Sequence, residues 1–351
     1  LEKRPLVYVL VSAALFGLSA PLSKILLRRI DPITLAGLLY FGAGLGLSLF
    51  EAGRWLFRRA PAPDAPLTGR DFPRLAAAVA FGGVAAPILL LLGLSRLSGF
   101  STSLFLNLEA VMTALIAWLV FREPVGGRLW AAVAAMTGAG FFLGLESSSS
   151  GFAWTGALLV LAAMAAWGAD NNLTRSISDK DPVRIARIKG LTAGAFSLGL
   201  AVALGRSFPA VAAVLAGMAL GAVGYGLSLV LFIRALSGLG ASRTGAFFSV
   251  GPFIGAGASL LILGDSPRWT MVPSLLLMAF GVGLIALERH AHQHHHDSAE
   301  HTHPHRHSDG HHGHDHPGVA AESHTHTHGH PETDHVHAHW PDIHHRHEHG
   351  H

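Results

Sequence analysis

Glu109, Asp170, Asn171 and Asn172 interrupt long apolar runs, and Asn107 stands two residues before Glu109. Carboxylate and amide oxygens together suit hard or borderline cations, and a carboxylate can also carry a proton. Ser19, Lys24 and Tyr225 lie in further apolar runs and add hydroxyl and ammonium groups to the same candidate set. An ionisable group at membrane depth costs at least about 2.5–3.5 kcal/mol on insertion scales. Each such group therefore needs a function or a partner. For Glu109 the choices are a substrate or ion cavity, a pairing with Lys24, or a protonated contact between helices. For Asp170 they are the cavity or a water-accessible interface. Glu51 is expected to pair with nearby Arg54, and Glu123 and Asp265 to cap the ends of apolar runs.

A second chemistry is confined to the C-terminus. All 25 histidines lie between His290 and His351. They recur at alternate positions as His301, His303, His305 and His307; His324, His326, His328 and His330; His335, His337 and His339; and His345, His347, His349 and His351. Denser groups are His294-His295-His296 and His311, His312, His314 and His316. Neutral imidazole ligates Zn²⁺, Ni²⁺, Co²⁺ and Cu²⁺, and an unperturbed histidine is mostly neutral above about pH 6.5. Asp309, Asp315, Glu332, Asp334 and Glu348 can complete a shell or orient a ring. The segment's few large apolar residues are Val319, Val336, Trp340 and Ile343, too few to bury a core. Residues 290–351 are expected to be disordered when free of metal. No cofactor is required elsewhere, and with no cysteine in the chain there is no disulfide or thiolate chemistry.

The elements that must position these groups follow from composition. Half the chain is apolar and only 13% is charged, well below the roughly 25% usual in soluble proteins. A bilayer core needs about 20 apolar residues per helix. Such stretches run over 6–27, 33–53, 73–95, 100–120, 127–145, 152–173, 184–205, 208–233, 242–263 and 270–288. They lack period-2 alternation, so they are read as ten helices; the fold class is an all-α membrane protein with a C-terminal tail. With the N-terminus inside, 17 Lys/Arg fall on the cytoplasmic side and 6 outside, which by loop charge orients both termini to the cytoplasm of an inner membrane. Lys3 and Arg4 before the first run imitate a signal peptide, but a retained first helix fits the many spans that follow.

The two halves echo each other. Ala14-Leu15-Phe16-Gly17-Leu18-Ser19 matches Ala165-Ala166-Trp167-Gly168-Ala169-Asp170, and Asp31-Pro32 matches Asp181-Pro182. Arg96 to Thr102 resembles Gly238 to Thr244, and Glu123 and Asp265 close the runs that follow. A fixed-offset echo signals duplication. Five spans per copy is odd, so the copies, residues 6–145 and 152–288, face opposite ways in the bilayer, the inverted-repeat plan with a site near the midplane. On these motifs the chain resembles the EamA-type members of the drug/metabolite transporter superfamily. The resemblance implies ten helices and proton-coupled or exchange transport of small metabolites, amino acids or toxic compounds. The fourth span carries Glu109 and Ala110 where that family commonly has a proline; Pro252 keeps it in the second copy.

The expected function is therefore a secondary transporter exporting a small metabolite or toxic compound, with a metal-binding tail. The alternatives are a divalent-metal transporter fed by the tail, and a metal-responsive scaffold that moves nothing. The expected partners are the lipid bilayer, a small-molecule or ion substrate and transition-metal ions. No phosphate loop, catalytic triad or zinc-protease motif supports an enzyme, and no basic face supports nucleic-acid binding. The small-residue motifs Gly140-x-x-x-Gly144, Gly217-x-x-x-Gly221 and Gly251-x-x-x-Gly255 are expected to pack helices closely. A homodimer is compatible with them but not indicated by them. Pro21, Pro87 and Pro252 are expected to kink their spans.

Overall fold

A computed structural model of the chain describes residues 3–56, 67–121, 127–145, 153–175, 177, 180–239, 247–266, 268–286, 290–296, 299–305, 324–330 and 333–339. Among these the first copy contributes α1 (Lys3–Leu26), α2 (Pro32–Leu56), α3 (Phe72–Leu94), α4 (Gly99–Phe105 and Leu108–Phe121) and α5 (Gly127–Leu145). The second contributes α6 (Ala153–Arg175), α7 (Pro182–Ala203), α8 (Val211–Leu220 continuing through Leu239), α9 (Gly251–Ala258 continuing through Leu263) and α10 (Met271–Ala286). Six of the described helices are long and apolar enough to cross a bilayer: α1, α2, α3, α4, α7 and α8. Shorter apolar stretches mark α5, α9 and α10. The outer surface agrees with lipid rather than water: Leu261 is 88% exposed and Val211 73%.

The duplicated Asp-Pro pair has one local cause in both copies. Asp31 Oδ1 accepts from the Ile33 amide at 3.0 Å, and Asp181 Oδ1 accepts from the Val183 amide at 2.9 Å. Each aspartate caps a helix whose first residue is proline, which has no amide to lose there.

Packing repeats with the same logic. α2 lies on α7, its counterpart, and the two approach so closely that a Cβ on Gly190 would stand 2.7 Å from the Gly44 nitrogen. An ion pair closes each end of this antiparallel couple: Glu51 with Arg187 at one, Asp31 with Arg206 at 3.7 Å at the other. Arg187 is a partner for Glu51 beyond the one the sequence suggested. α1 packs on α9 and α6 on α4. A Cβ on Gly17 would overlap the Gly251 carbonyl, and one on Gly168 would stand 2.8 Å from the Thr113 nitrogen. The aromatic-glycine motif of each copy is thus the place where its first helix crosses the fourth helix of the other. α3 packs on α6 and α7, as α8 does on α1 and α2, and α5 on α10. Two reciprocal serine bonds join α1 to α8: Ser12 Oγ donates to the Ser228 carbonyl at 2.7 Å, and Ser228 Oγ to that of Ser12 at 3.0 Å. Gly217 and Gly221 face α2, and Gly251 and Gly255 face α1, so these small-residue motifs are spent within the chain.

Among the described residues three helices widen into π-helical turns and a fourth is broken. α3 widens to π-helical turns over Val79–Ala85, and α8 does so over Gly221–Leu227. α9 does so over Ser259–Leu263. Such turns free backbone groups and often mark functional places. α4 is broken at Leu106-Asn107, where the Asn107 and Glu109 amides donate three residues back, to Leu104 and Leu106 at 3.1 Å each. The sequence predicts one unbroken span here. Asn107 explains the difference: its Nδ2 donates to the Leu104 carbonyl at 3.3 Å, competing with the helical ladder. A turn at Ser249-Val250, just before Gly251 and Pro252, stands at the corresponding place in the second copy.

The tail differs from the disorder expected of it. Strand β1 (His290–His296) pairs antiparallel with β4 (Thr333–His339), and β2 (Ala299–His305) with β3 (His324–His330). The physical reason is the His-x-His spacing itself. Alternation with period 2 is the strand repeat, and it suits extended chain even without an apolar face. His307, His311, His312, His314, His316, His345, His347, His349 and His351 lie outside the described residues.

Candidate functional site

The polar groups on α4 and α6 meet. Because α4 restarts at Leu108, Glu109 sits in the first turn of its second half, where the free amides of a helix start favour a carboxylate. Asn171 Nδ2 donates to Glu109 Oε1 at 2.9 Å and contacts Thr113 Oγ1 at 3.1 Å. Asn172 Nδ2 reaches the Thr113 carbonyl at 3.0 Å and the Gly168 carbonyl at 2.8 Å. The two asparagines thus tie the first helix of one copy to the broken helix of the other. Asn107 is buried and its Oδ1 has no hydrogen-bond partner among the described residues, an acceptor open to a donor or a cation.

Asp170 is 4% exposed and forms an ion pair with Lys189 of α7. Thr174 Oγ1 donates to its other oxygen at 3.0 Å. The 17 cytoplasmic-side charges counted from the sequence include Lys189, with Arg184 and Arg187, near the start of the span 184–205. The structure places it a full turn and more inside α7, with its side chain 16% exposed. The Lys/Arg bias between the two sides survives its removal. Asp170 is in turn pressed against α3: a Cβ on Gly82, inside the π-helical stretch, would overlap the carboxylate. The Gly82 carbonyl, freed by the wide turn, accepts from Tyr40 Oη at 2.6 Å and from Trp167 Nε1 at 3.0 Å.

An aromatic bridge runs from there to the other copy. Tyr40 and Tyr225 have ring centroids 5.7 Å apart, Tyr225 and Phe16 5.9 Å, and Phe16 and Phe248 5.4 Å. Ser19 donates to the Phe16 carbonyl at 2.6 Å, and Gly224 of the α8 π-helical stretch leans on the Ser19 Cβ. Gly224 therefore stands to Ser19 as Gly82 stands to Asp170. The motif match between the copies, Phe16 with Trp167 and Ser19 with Asp170, is a match of place, but only the second copy is charged there.

Lys24 lies apart from Glu109. Its ammonium donates to the Leu94 carbonyl and, at 2.7 Å, to that of Leu97, satisfying the orphan carbonyls at the end of α3. Asp265 accepts from the Phe100 amide at 3.1 Å and so caps the start of α4. Glu123 lies outside the described residues. Tyr40, Gly82 and Lys189 carry no sequence mark of these contacts, whereas Trp167 belongs to the aromatic-glycine motif. In the tail, register sets His290 opposite His339, His292 opposite His337, and His294 opposite His335. Among the residues whose side chains the structure describes, which exclude the tail, no group of three or more His, Asp or Glu is gathered to hold a metal ion.

Two helical copies with antiparallel counterparts, a broken α4 and buried charge beside it are the features of a membrane transporter. Comparison with known proteins agrees. The model of the EamA-like transporter family matches residues 3–145 and again 154–287, and the chain belongs to that family. It is 28% identical over 289 residues to an uncharacterized transporter of Methanothermobacter thermautotrophicus, covering 79% of this chain and 84% of that one. A crystal structure with 15% identity shares the fold, with a TM-score of 0.55 over 79% of this chain and 95% of the other.

Proposed function

We propose that the chain is a secondary transporter of the inner membrane with ten crossings and both termini in the cytoplasm. It moves a small organic metabolite or toxic compound through a site bounded by Glu109, Asn107, Asn171, Asp170, Lys189 and the Tyr40–Tyr225–Phe16 aromatics. The observation that carries this reading is the contact between Glu109, at the break in α4, and Asn171 on α6, beside the buried Asp170–Lys189 pair. Broken helices around buried charge are how transporters of this plan hold a substrate or coupling ion. Glu109 is the proton or cation acceptor, Asn172 and Ser19 brace the first helices, and Tyr225 supplies an apolar face with a polar tip. The tail binds divalent transition metals and regulates transport or buffers supply. Fold alone fixes no substrate, so the cargo rests on the site's chemistry.

A second reading, transport of the metal itself, is favoured by the histidine tail and by the free oxygen of Asn107. Against it, the charge of Asp170 is already met by Lys189, leaving one carboxylate for a doubly charged ion. Reconstituted vesicles separate the readings. Flux of Zn²⁺, Ni²⁺, Co²⁺ and a panel of organic solutes is measured for the full chain and for a chain ending at Arg289. Organic flux by both, without metal flux, is expected. Metal flux abolished by Glu109→Ala would overturn the organic reading, and no flux of anything would leave a scaffold.

A further inference from the structure

We infer that transition-metal ions fasten the tail into a nested double hairpin by bridging opposed histidines across the strand pairs. The inference rests on the reading that the tail binds metal and says where and with what consequence. In the inner pair, register sets His301 opposite His328, His303 opposite His326, and His305 opposite His324. Opposed residues of an antiparallel pair have Cβ atoms about 4.5–5.5 Å apart, and residues two along share their face. One face position thus offers a His-x-His from one strand and a His-x-His from the other, enough for the four nitrogen ligands that Zn²⁺ takes. The outer pair repeats the pattern with three further opposed histidine pairs. A one-residue slip would set the inner-pair histidines against threonine or glycine and His290, His292 and His294 of the outer pair against residues other than histidine, so the observed register is the one that aligns the ligands.

Pairing of this kind needs such a fastening. Two-stranded sheets are marginal in water at best, and these strands carry no large apolar residue except Val336. The outer pair also closes a loop from His296 to Thr333, at an entropy cost that grows with loop length. A metal bound by the paired form and not by the open chain offsets both costs.

The chain has no cysteine, so spin labels can be placed without removing any native residue that binds metal. Ala291 and Ala338 are register partners in the outer pair. The full-length Ala291→Cys, Ala338→Cys protein, labelled at both thiols, is measured with and without Zn²⁺ by dipolar broadening of the continuous-wave electron paramagnetic resonance spectrum, which reads the short distances between opposed strand residues. Zn²⁺ is expected to collapse a broad distance distribution into one short component. Two further variants lose six histidines each: His324, His326, His328, His335, His337 and His339 to Thr, or His307, His311, His312, His314, His316 and His345 to Thr. Loss of outer partners of a metal ligand alone costs about 10–100-fold in affinity. The first variant is therefore expected to weaken Zn²⁺ binding at least about tenfold and abolish the collapse, and the second to change little. Equal weakening in both variants overturns the inference, since only histidine number would matter. Tight Zn²⁺ binding with unchanged distances overturns it too, while leaving the tail's metal affinity standing. Absence of Zn²⁺ binding would sink that underlying reading itself.

Discussion

Lys189 of α7 and Asp170 of α6 form an ion pair inside the second repeat, with Gly82 of α3 pressed against the carboxylate. A buried pair of this kind contributes little net stability, yet breaking it is costly because one charge is left alone. Asp170→Asn or Lys189→Met singly is expected to destabilise the protein by about 3–5 kcal/mol. The double variant, which leaves no orphan charge, should recover most of that loss but not transport. Thermal unfolding in detergent and vesicle flux read the two quantities separately. A double variant that transports normally would remove the pair from the mechanism.

Gly82 has no room for a side chain. Gly82→Ala forces a methyl group into the Asp170 carboxylate, so the π-helical stretch or the ion pair must shift. Overpacking costs about 1–3 kcal/mol, and flux is expected to fall with it. Gly257→Ala is the control, since nothing lies within 4 Å of the added carbon there. Equal behaviour of the two variants would show that Gly82 is not in a tight contact.

Glu109→Gln keeps an acceptor for Asn171 and removes the charge. The protein is expected to fold as before, while flux in vesicles loses its dependence on pH across the range where wild type responds. Wild-type rate with wild-type pH dependence would take Glu109 out of proton coupling.

Asp71, outside the membrane spans, accepts from the Thr68 amide and hydroxyl at 2.8 Å each. The Thr68 amide, then burial in opposition, then the hydroxyl set the balance, and the carboxyl is held below its ordinary range. A depressed carboxyl stabilises the fold above its unfolded pKa, and this contribution is lost as pH falls through the folded value. Thr68→Val should lower the melting temperature at pH 7, and that difference should narrow as pH falls below the ordinary aspartate value of about 3.9. A difference that stays constant with pH would show that the charge on Asp71 plays no part.

Much of the frame was legible because membrane insertion writes itself into long apolar runs. The Asp-Pro and aromatic-glycine echoes were visible as spelling, and the structure supplies their reasons: helix caps in the first case, helix crossings in the second. Glu109, Asp170 and Asn171 stood out because charge and amide are costly in hydrocarbon. Lys189 did not, since it follows Arg184 and Arg187 at the start of its span, where basic residues mark the membrane boundary. Gly82 and Tyr40 were silent because their roles are contacts between helices far apart in sequence. Wide helical turns leave no periodic mark, and the break in α4 was hidden inside an apolar run. The tail strands were missed because strand reading was tied to an apolar face, which histidine alternation does not provide.

The near-twofold relation of α2 to α7 has an energetic consequence. Were the copies identical, exposing the site to one side of the bilayer and exposing it to the other would be mirror operations of equal free energy. Ser19 and Leu39 occupy the places that Asp170 and Lys189 hold in the second copy. That difference, together with Glu109 standing where the second copy has Gly251, removes the symmetry that would make the two exposures equal in free energy.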